Sequence, residues 1–315
     1  MKQQQAAIVA IPSAAWLESA VLTYGPRKAG TTLLQNLLDG GDQLFAYPAE
    51  LKLKSLVRHP LGADPVGHYA ETSRIPQIAS PHFAVERYRQ AWNAARSRRD
   101  WHPDLRELIC FDLATVYDLC TNRPRRPSGW CAKDVGGDTD AIMQAWRRMF
   151  PEGRAIFIVR DPLMITRAVL QDRRRKSIRL PFRRILYETL DPLRVVASQA
   201  KYLTDSDVLV ISYEHLVRDP KAVMGRVADF LGIDWFPNLA VPTIFGEPVV
   251  VRTASRAERS VFHEDRIWTD GLTWREKLIV ATVHALAQLR SRYRVDYNAL
   301  RRQVLEQMRA KARAA

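Results

Sequence analysis

Cysteine is scarce in this sequence, and its scarcity excludes two kinds of architecture. Cys110, Cys120 and Cys131 are the only cysteines in 315 residues. An odd number without CxxC spacing indicates neither a disulfide framework nor a zinc site. The seven histidines show no HxH, HExxH or His–Cys spacing, so we predict no metal centre. Buried free thiols in a reducing compartment are the simplest interpretation, and we expect a cytoplasmic protein.

Long hydrophobic runs are also missing. Residues 6–22 are fairly apolar, but Pro12 and Glu18 interrupt them. No run reaches the roughly 18 apolar residues of a membrane-spanning helix. Because this segment leads directly into the first predicted strand, we interpret it as part of the fold rather than as a leader or anchor.

Acidic residues are outnumbered by basic ones. The chain has 34 Asp and Glu against 48 Lys and Arg, which gives a net charge of +14 and a pI near 10.0. Such a charge favours an anionic partner: a nucleotide, an anionic polymer, nucleic acid or an anionic membrane. No zinc-finger, RRM or helix-turn-helix pattern is present, so nucleic acid is not expected. Peripheral membrane contact through the basic surface stays open.

The segment from Ala20 to Asp39 predicts a phosphate-binding loop. An apolar strand is followed by Gly25-Pro-Arg-Lys-Ala-Gly30 and then by an apolar helix. This arrangement directs backbone N–H groups and a helix N-terminus at one point, which suits phosphate. The glycines have P-loop spacing, but Thr31 stands where a nucleoside-triphosphatase has lysine. Lys28 is the only lysine of the loop.

Short apolar runs alternate with helical patterns along the chain. The predicted strands are Ala20–Tyr24, Glu107–Leu113, Ala155–Val159 and Val208–Ser212. The predicted helices are Thr32–Leu38, Val85–Arg98, Thr139–Phe150, Ile185–Leu203 and Lys221–Leu231. This alternation predicts an α/β fold with a central parallel sheet, helices on both of its faces, and a P-loop-like loop after the first strand. Ligands of such sheets bind at the carboxyl ends of the strands.

Four segments, in order, resemble the motifs of the sulfotransferases that use 3′-phosphoadenosine 5′-phosphosulfate (PAPS). The first is the phosphate loop, which is similar to the 5′-phosphosulfate loop of that family. The others are Trp130-Cys-Ala-Lys133-Asp134, Phe150-Pro-Glu-Gly-Arg-Ala-Ile-Phe-Ile-Val-Arg160-Asp-Pro162, and Val208–Leu216 followed by Asp219-Pro220 and Asp229-Phe-Leu-Gly232. Together they span about residues 20–235, most of the chain.

The resemblance implies a domain organisation. We expect a single domain over residues 1–315, with a nucleotide-binding core at 20–235 and a C-terminal helical region at 273–315. Residues 236–272 are expected to form a loop that closes over the cofactor. The proline-rich region from Pro48 to Pro81 is expected to be a long excursion that lines the acceptor site.

The resemblance also implies site residues. PAPS is the expected sulfuryl donor, with no metal. Lys28 and Lys133 are expected to be catalytic cations, and Arg160 is expected to bind the 3′-phosphate, for which a guanidinium fork is suited. The family usually has a serine eight residues after this arginine; here it is Ala168, and Thr166 is the nearest hydroxyl. The expected cofactor-binding residues are Arg27, Lys28, Ala29, Gly30, Thr31, Thr32, Arg160, Thr166, Tyr213 and Arg259.

The catalytic base is expected to be Glu50. A glutamate at almost this spacing from the phosphate loop occurs in tyrosylprotein-type sulfotransferases. We expect Glu50 on the loop after the phosphate-binding helix, facing the sulfate from the acceptor side. His59 and His68 are the alternatives.

The sequence therefore predicts a PAPS-dependent sulfotransferase acting on the hydroxyl of a glycan, a peptide tyrosine or a small molecule. An anionic glycan or peptide is one option, because Arg173-Arg-Arg-Lys176 and its basic neighbours provide positive charge. The alternatives are a P-loop-like small-molecule kinase using ATP and, less favoured, a basic nucleic-acid-binding protein.

Overall fold

Five parallel strands form the central sheet. The computed structural model describes residues 15–58, 64–78, 80–98, 100–125, 127–252, 257–258, 261 and 267–313. The strands are β1 (Ala20–Gly25), β2 (Leu44–Glu50), β3 (Gly129–Val135), β4 (Arg154–Val159) and β5 (Val208–Ser212). They lie in the order β2-β3-β1-β4-β5, and every neighbouring pair is parallel.

Helices connect the strands and follow them. In the first half of the chain they are α1 (Thr31–Leu38), α2 (Leu53–Arg58), α3 (Pro65–Thr72), α4 (Val85–Arg96), α5 (Leu105–Leu119) and α6 (Thr139–Met149). In the second half they are α7 (Pro162–Arg175), α8 (Phe182–Gln199), α9 (Tyr213–Arg218), α10 (Pro220–Leu231), α11 (Trp274–Ala287) and α12 (Tyr297–Arg313). Within the described residues, no helix is both long enough and apolar enough to cross a bilayer.

The sheet is covered on both of its faces. Every residue of β1 and β5 is buried, and so are all residues of β4 after Arg154. Successive side chains of a strand point to opposite faces, so uninterrupted burial requires helices on each side. The predicted α/β fold with a central parallel sheet is confirmed.

One predicted strand is wrong. Glu107–Leu113 lies inside helix α5, which a capping box opens: the Asp104 side chain accepts from the Glu107 N–H and the Glu107 side chain accepts from the Asp104 N–H. The apolar run is continuous because most of this helix is buried. A short, wholly apolar run does not distinguish a buried strand from a buried helix by periodicity.

Two strands of the sheet, β2 and β3, were not predicted from the sequence. Strand β2 contains Pro48, which cannot donate to a ladder and disguises the strand in the sequence. The structure accommodates it because β2 is an edge strand and its register to β3 shifts between Ala46 and Glu50. Glu50 is therefore the last residue of a strand, not part of a loop after α1 as expected. Helices α2 and α3 fill much of the predicted irregular excursion.

A buried carboxylate joins the elements between β2 and α5. Asp112 of α5 is fully buried and accepts hydrogen bonds from Tyr47 (2.5 Å), Tyr88 (2.6 Å), Tyr69 (3.2 Å) and the Trp92 indole (3.2 Å). The donors come from β2, α3 and α4. Burial raises the pKa of the Asp112 carboxyl, while the hydrogen bonds from the tyrosines and Trp92 oppose that rise.

Asp112→Ala should lower the free energy of unfolding by about 3 kcal/mol or more, because four buried donors lose their acceptor at about 1–3 kcal/mol each. Asp112→Asn should fold, since the amide keeps one acceptor oxygen and offers N–H groups to tyrosine oxygens. Chemical denaturation of both variants checks this prediction.

The pH dependence of the free energy of unfolding distinguishes the protonated from the ionised carboxyl of Asp112. A raised folded-state pKa means that the folded protein holds the Asp112 proton where the unfolded chain has lost it, so this carboxyl contributes less stability as the pH rises through that interval. Asp112→Asn lacks this contribution and should gain stability relative to wild type as the pH rises above 3.8, the ordinary pKa of the carboxyl. A constant difference would contradict a raised pKa.

Candidate functional site

The carboxyl ends of all five strands carry the predicted site residues. Glu50 ends β2, Lys133 lies near the end of β3, and Gly25 ends β1. Arg160 follows β4 directly, and Tyr213 follows β5. In a parallel sheet these ends meet at one edge, where ligands of α/β proteins bind.

Gly25 and Gly30 of the phosphate loop lie so close to neighbouring atoms that no side chain fits at either position. A Cβ on Gly25 would lie 2.5 Å from the carbonyl oxygen of Ile158. Gly30 has φ +106, and a Cβ there would lie 2.5 Å from the ring of Tyr213. Side chains are therefore excluded at both positions. Gly30 is also the N-cap of α1 and no side chain caps this helix, so its first N–H groups are left for a ligand.

The remaining loop residues divide into buried supports and surface groups. Ala29 and Thr31 are buried, and the Ala29 N–H donates to the Pro26 carbonyl. Arg27 and Thr32 are exposed. Ala29 and Thr31 thus pack into the fold, whereas Arg27 and Thr32 face solvent.

Lys28 is paired with a carboxylate of α7. Its backbone is left-handed, with φ +66, and its Nζ lies 3.1 Å from Oδ1 of Asp172. Asp172 also pairs with Arg175 at 3.2 Å and with Lys176 at 3.0 Å. Burial alone would raise the pKa of Asp172, but hydrogen bonds from Lys176 and Lys28 outweigh it, and the pKa is lowered. Sequence patterns did not point to Asp172, which the fold brings to Lys28.

Arg160 connects the phosphate loop to β5. Its Nη1 donates to the Lys28 carbonyl at 2.8 Å, and its guanidinium lies over the Tyr213 ring, 4.1 Å from the centroid. Tyr213 in turn packs against Gly30. Cation–π stacking holds the guanidinium plane, so Arg160, Tyr213 and the loop form one contacting unit.

Thr166 is not directed at this unit. It is buried in α7, and its hydroxyl donates to the Pro162 carbonyl at 2.9 Å. Ala168 is half-buried on the same helix. The hydroxyl that stood in for the missing serine is therefore occupied within the helix. Arg259 lies outside the described residues, as does His59.

Glu50 and Lys133 are cross-strand partners at the edge of the sheet. They face each other in the β2–β3 ladder, and the Leu51 N–H donates to the Lys133 carbonyl at 3.0 Å. Glu50 Oε1 also accepts from Lys52 Nζ at 2.8 Å. Burial lowers the pKa of Lys133, and the Glu50 charge works against this lowering.

Asp134 secures the segment after Glu50. Its carboxylate accepts from the Lys54 N–H at 3.2 Å and from the Val135 N–H at 2.7 Å. Burial and the nearby Glu50 raise the pKa of Asp134 to about 7, although these hydrogen bonds oppose the rise. Asp134 therefore fixes the turn that carries Lys52. The sequence motif that contains Lys133 includes Asp134, but it predicted no role for this carboxylate.

His68 lies on α3 and is half-buried. Its Nε2 is buried and has no hydrogen-bond partner in the described part of the chain. Glu50, by contrast, lies at a strand end together with the other site residues. The structure thus shows Glu50, a strand-end residue, and His68, a helix residue, on different elements.

The basic run of α7 is largely engaged in ion pairs. Arg173 pairs with the buried Glu188 of α8, and Arg174 pairs with Glu276 of α11. Arg175 and Lys176 share Asp172 with Lys28. These pairs hold α7 against its neighbours and compensate part of the charge of the run, although Arg174, Arg175 and Lys176 stay exposed.

The sulfotransferase family model matches residues 21–237 of the chain. Among solved structures, the chain is similar to the sulfotransferase domain of the Synechococcus PCC 7002 olefin synthase, with 19% identity, coverage of 96% of this chain and 98% of that one, and a TM-score of 0.49. It is also similar to a sulfotransferase from Alicyclobacillus acidocaldarius, with 16% identity, coverage of 85% of this chain and 95% of that one, and a TM-score of 0.44. Mouse sulfotransferase SULT7A1 complexed with PAP is similar as well, with 14% identity, coverage of 95% of this chain and 92% of that one, and a TM-score of 0.46. No curated protein sequence matches significantly.

Gly30→Ala should damage the loop and the stability of the fold. A left-handed φ and a contact of 2.5 Å with the Tyr213 ring predict a loss of about 1–3 kcal/mol in the free energy of unfolding. Thermal denaturation measures it.

Gly225→Ala is the matched control. Gly225 lies inside α10, and a Cβ there would have nothing within 4 Å. Alanine should stabilise the helix by about 0.4–1 kcal/mol. Equal effects of the two substitutions would show that the Gly30 backbone is not constrained.

Proposed function

The chain belongs to the sulfotransferase family, and on that basis we propose that it transfers the sulfuryl group of PAPS to the hydroxyl of an acceptor. The observation that carries the proposal is the contact of Arg160 with both the Lys28 carbonyl and the Tyr213 ring. It unites a phosphate-type loop, its lysine and an arginine at the carboxyl ends of three strands.

The residues present fit this donor. The uncapped N–H groups at the start of α1 suit the 5′-phosphosulfate, and Thr32 adds an exposed hydroxyl. Arg160 is held by stacking with part of its fork available for the 3′-phosphate. Tyr213, under the guanidinium, is proposed to lie near the adenine, and Arg27 and Arg259 are proposed as further contacts. Because Thr166 is occupied by its own helix, we leave it out of the site.

PAPS supplies an activated sulfuryl group. The acceptor oxygen forms a new O–S bond as the bond between sulfur and the bridging oxygen breaks, and the electron pair stays on the phosphate. Lys28 neutralises the charge that develops on that oxygen, and Lys133 stabilises the transferring group. Glu50 takes the hydroxyl proton. In such transfers positioning and charge stabilisation supply most of the catalysis.

Lys28 must change partners for this role. Its ammonium is held by Asp172, and the anionic donor is proposed to displace that carboxylate, which keeps Arg175 and Lys176 as partners. After the exchange, Lys28 is paired with the donor, and Asp172 is paired with Arg175 and Lys176.

The acceptor is a hydroxyl of a glycan, peptide or small molecule. The three free, buried cysteines support a cytoplasmic location.

Nucleotide selectivity tests the donor. Calorimetry should show 3′,5′-phosphoadenosine binding at least about tenfold more tightly than 5′-AMP, because Arg160 binds the additional phosphate with charge-assisted hydrogen bonds. Arg160→Gln should abolish most of this preference. Arg218→Gln, an exposed arginine of α9, is the control and should keep it. Equal wild-type affinities for the two nucleotides would refute the assignment of Arg160, and preference for ATP would favour a kinase.

Glu50→Gln tests the base. The amide keeps the size of the side chain but removes its basicity, so kcat should fall by roughly 10²–10⁴-fold, the usual contribution of general-base catalysis. The dissociation constant of 3′,5′-phosphoadenosine should stay close to that of wild type. Steady-state assays with labelled PAPS and any accepted hydroxyl measure the effect.

Lys52→Gln separates basicity from packing. It removes the ion pair with Glu50 but leaves the carboxylate in place, so kcat should change by less than about fivefold, as expected for a partly exposed ion pair. If both variants lose activity equally, Glu50 acts by holding Lys52 rather than by taking a proton.

A further inference from the structure

Among the residues that the structure describes, helix α11 is covered on only one of its sides. From Leu278 to Ala287 it has no acidic residue, lysine or arginine. Val280 packs with Leu170 and Ile185 of α7 and α8. A helix that is apolar on all sides is normally buried on all sides. The opposite side of α11 is nevertheless exposed in the isolated chain.

The exposed side forms a continuous apolar stripe. Trp274, Leu278, Ala281 and Ala285 follow one another at spacings of four, three and four residues, which places them on one face of α11. Leu289 follows in the turn just beyond the end of the helix. Trp274 is 70% exposed, Leu278 61% and Leu289 82%. Scattered exposed apolar residues are ordinary, but a contiguous stripe of this kind marks an interaction surface.

The exposed charged side chains of two segments that include α7 and α11 are all positive. Within residues 162–184 and 267–294, which are all described, no acidic side chain is exposed. Asp172 and Glu276, for example, are largely buried in ion pairs. The exposed charged residues of these segments are Arg174, Arg175, Lys176, Arg179, Arg183, Arg275, Arg290, Arg292 and Arg294.

The two segments adjoin at Arg174. Its Nη1 donates to the Gly271 carbonyl at 2.6 Å, and its guanidinium pairs with Glu276 in the first turn of α11. Phe182, beyond the end of α7, is 58% exposed. We call the combination of the apolar stripe and these exposed cations the cationic apolar face.

We propose that the cationic apolar face docks on an anionic lipid bilayer. The bilayer supplies both complements at once: acyl chains for Leu278 and Leu289, and phosphate-bearing headgroups for the arginines. Trp274 lies at the start of the stripe, and tryptophan favours the depth between headgroup and acyl chain. The protein lies on the membrane surface without crossing it.

Two other occupants fit less well. A second copy packing symmetrically through this face would bring the same exposed cations against one another, with no exposed carboxylate in these segments to compensate them. Nucleic acid would satisfy the arginines, but its phosphates give no place to an exposed leucine stripe. An anionic bilayer is the partner that uses both properties.

Vesicle flotation with the full chain tests the proposal. The protein should float with vesicles of phosphatidylcholine and phosphatidylglycerol (7:3) and not with phosphatidylcholine alone, and raising the salt from 50 to 500 mM should weaken binding. The double variants Leu278→Ser with Leu289→Ser and Arg179→Gln with Arg183→Gln should each reduce partitioning by at least about tenfold.

Matched controls lie outside the face. Trp235→Ser and Arg87→Gln remove a partly exposed aromatic residue and an exposed arginine elsewhere, and both should float like wild type. Brominated lipids should quench wild-type fluorescence more than that of Trp274→Phe. No flotation, equal loss in the controls, or equal quenching overturns the proposal. Concentration-dependent dimers lost in the serine variant would instead assign the stripe to self-association.

Discussion

The buried carboxylate of Asp112 is the constraint on which the segment between α1 and β3 depends. Its four hydrogen bonds join β2, α3, α4 and α5, so the segment between α1 and β3 is fixed at its centre. Tyr47, one donor, lies three residues before Glu50 on β2. An edge strand with a proline and a register shift has few ladder bonds of its own. The Tyr47–Asp112 bond therefore contributes to the position of Glu50.

The donor side is organised by a different principle. Arg160 reaches from the end of β4 to the Lys28 carbonyl and rests on the Tyr213 ring, which occupies the space left by the missing side chain of Gly30. The absence of a side chain at Gly30 is what allows the Tyr213 ring to pack against the loop. The loop is thereby held by three strand ends, which preorganises it for an anion.

The sequence predicted the phosphate loop and Arg160 better than the segment between α1 and β3 for a physical reason. Loop glycines, Lys28 and Arg160 are adjacent in sequence to the strands that position them, so their local patterns carry the information. Asp112, Asp134 and Asp172 act through partners remote in sequence, and a lone carboxylate in a helix or strand has no local signature. Strand β2 was missed because Pro48 resembles a break, and α5 was mistaken for a strand because its burial removes the helical period.

Asp172 connects the phosphate loop to the cationic apolar face. It pairs at once with Lys28 of the phosphate loop and with Arg175 and Lys176, which belong to the cationic apolar face. A single carboxylate cannot fully satisfy three cations, so any anion that takes one of them changes the field felt by the others. Headgroups bound at Arg175 and Lys176 would leave Lys28 as the main partner of Asp172, whereas a bound donor would release Asp172 to the two surface cations. Under the two proposals, occupancy of the face and occupancy of the loop would oppose each other through Asp172, and the coupling would have the same size in both directions.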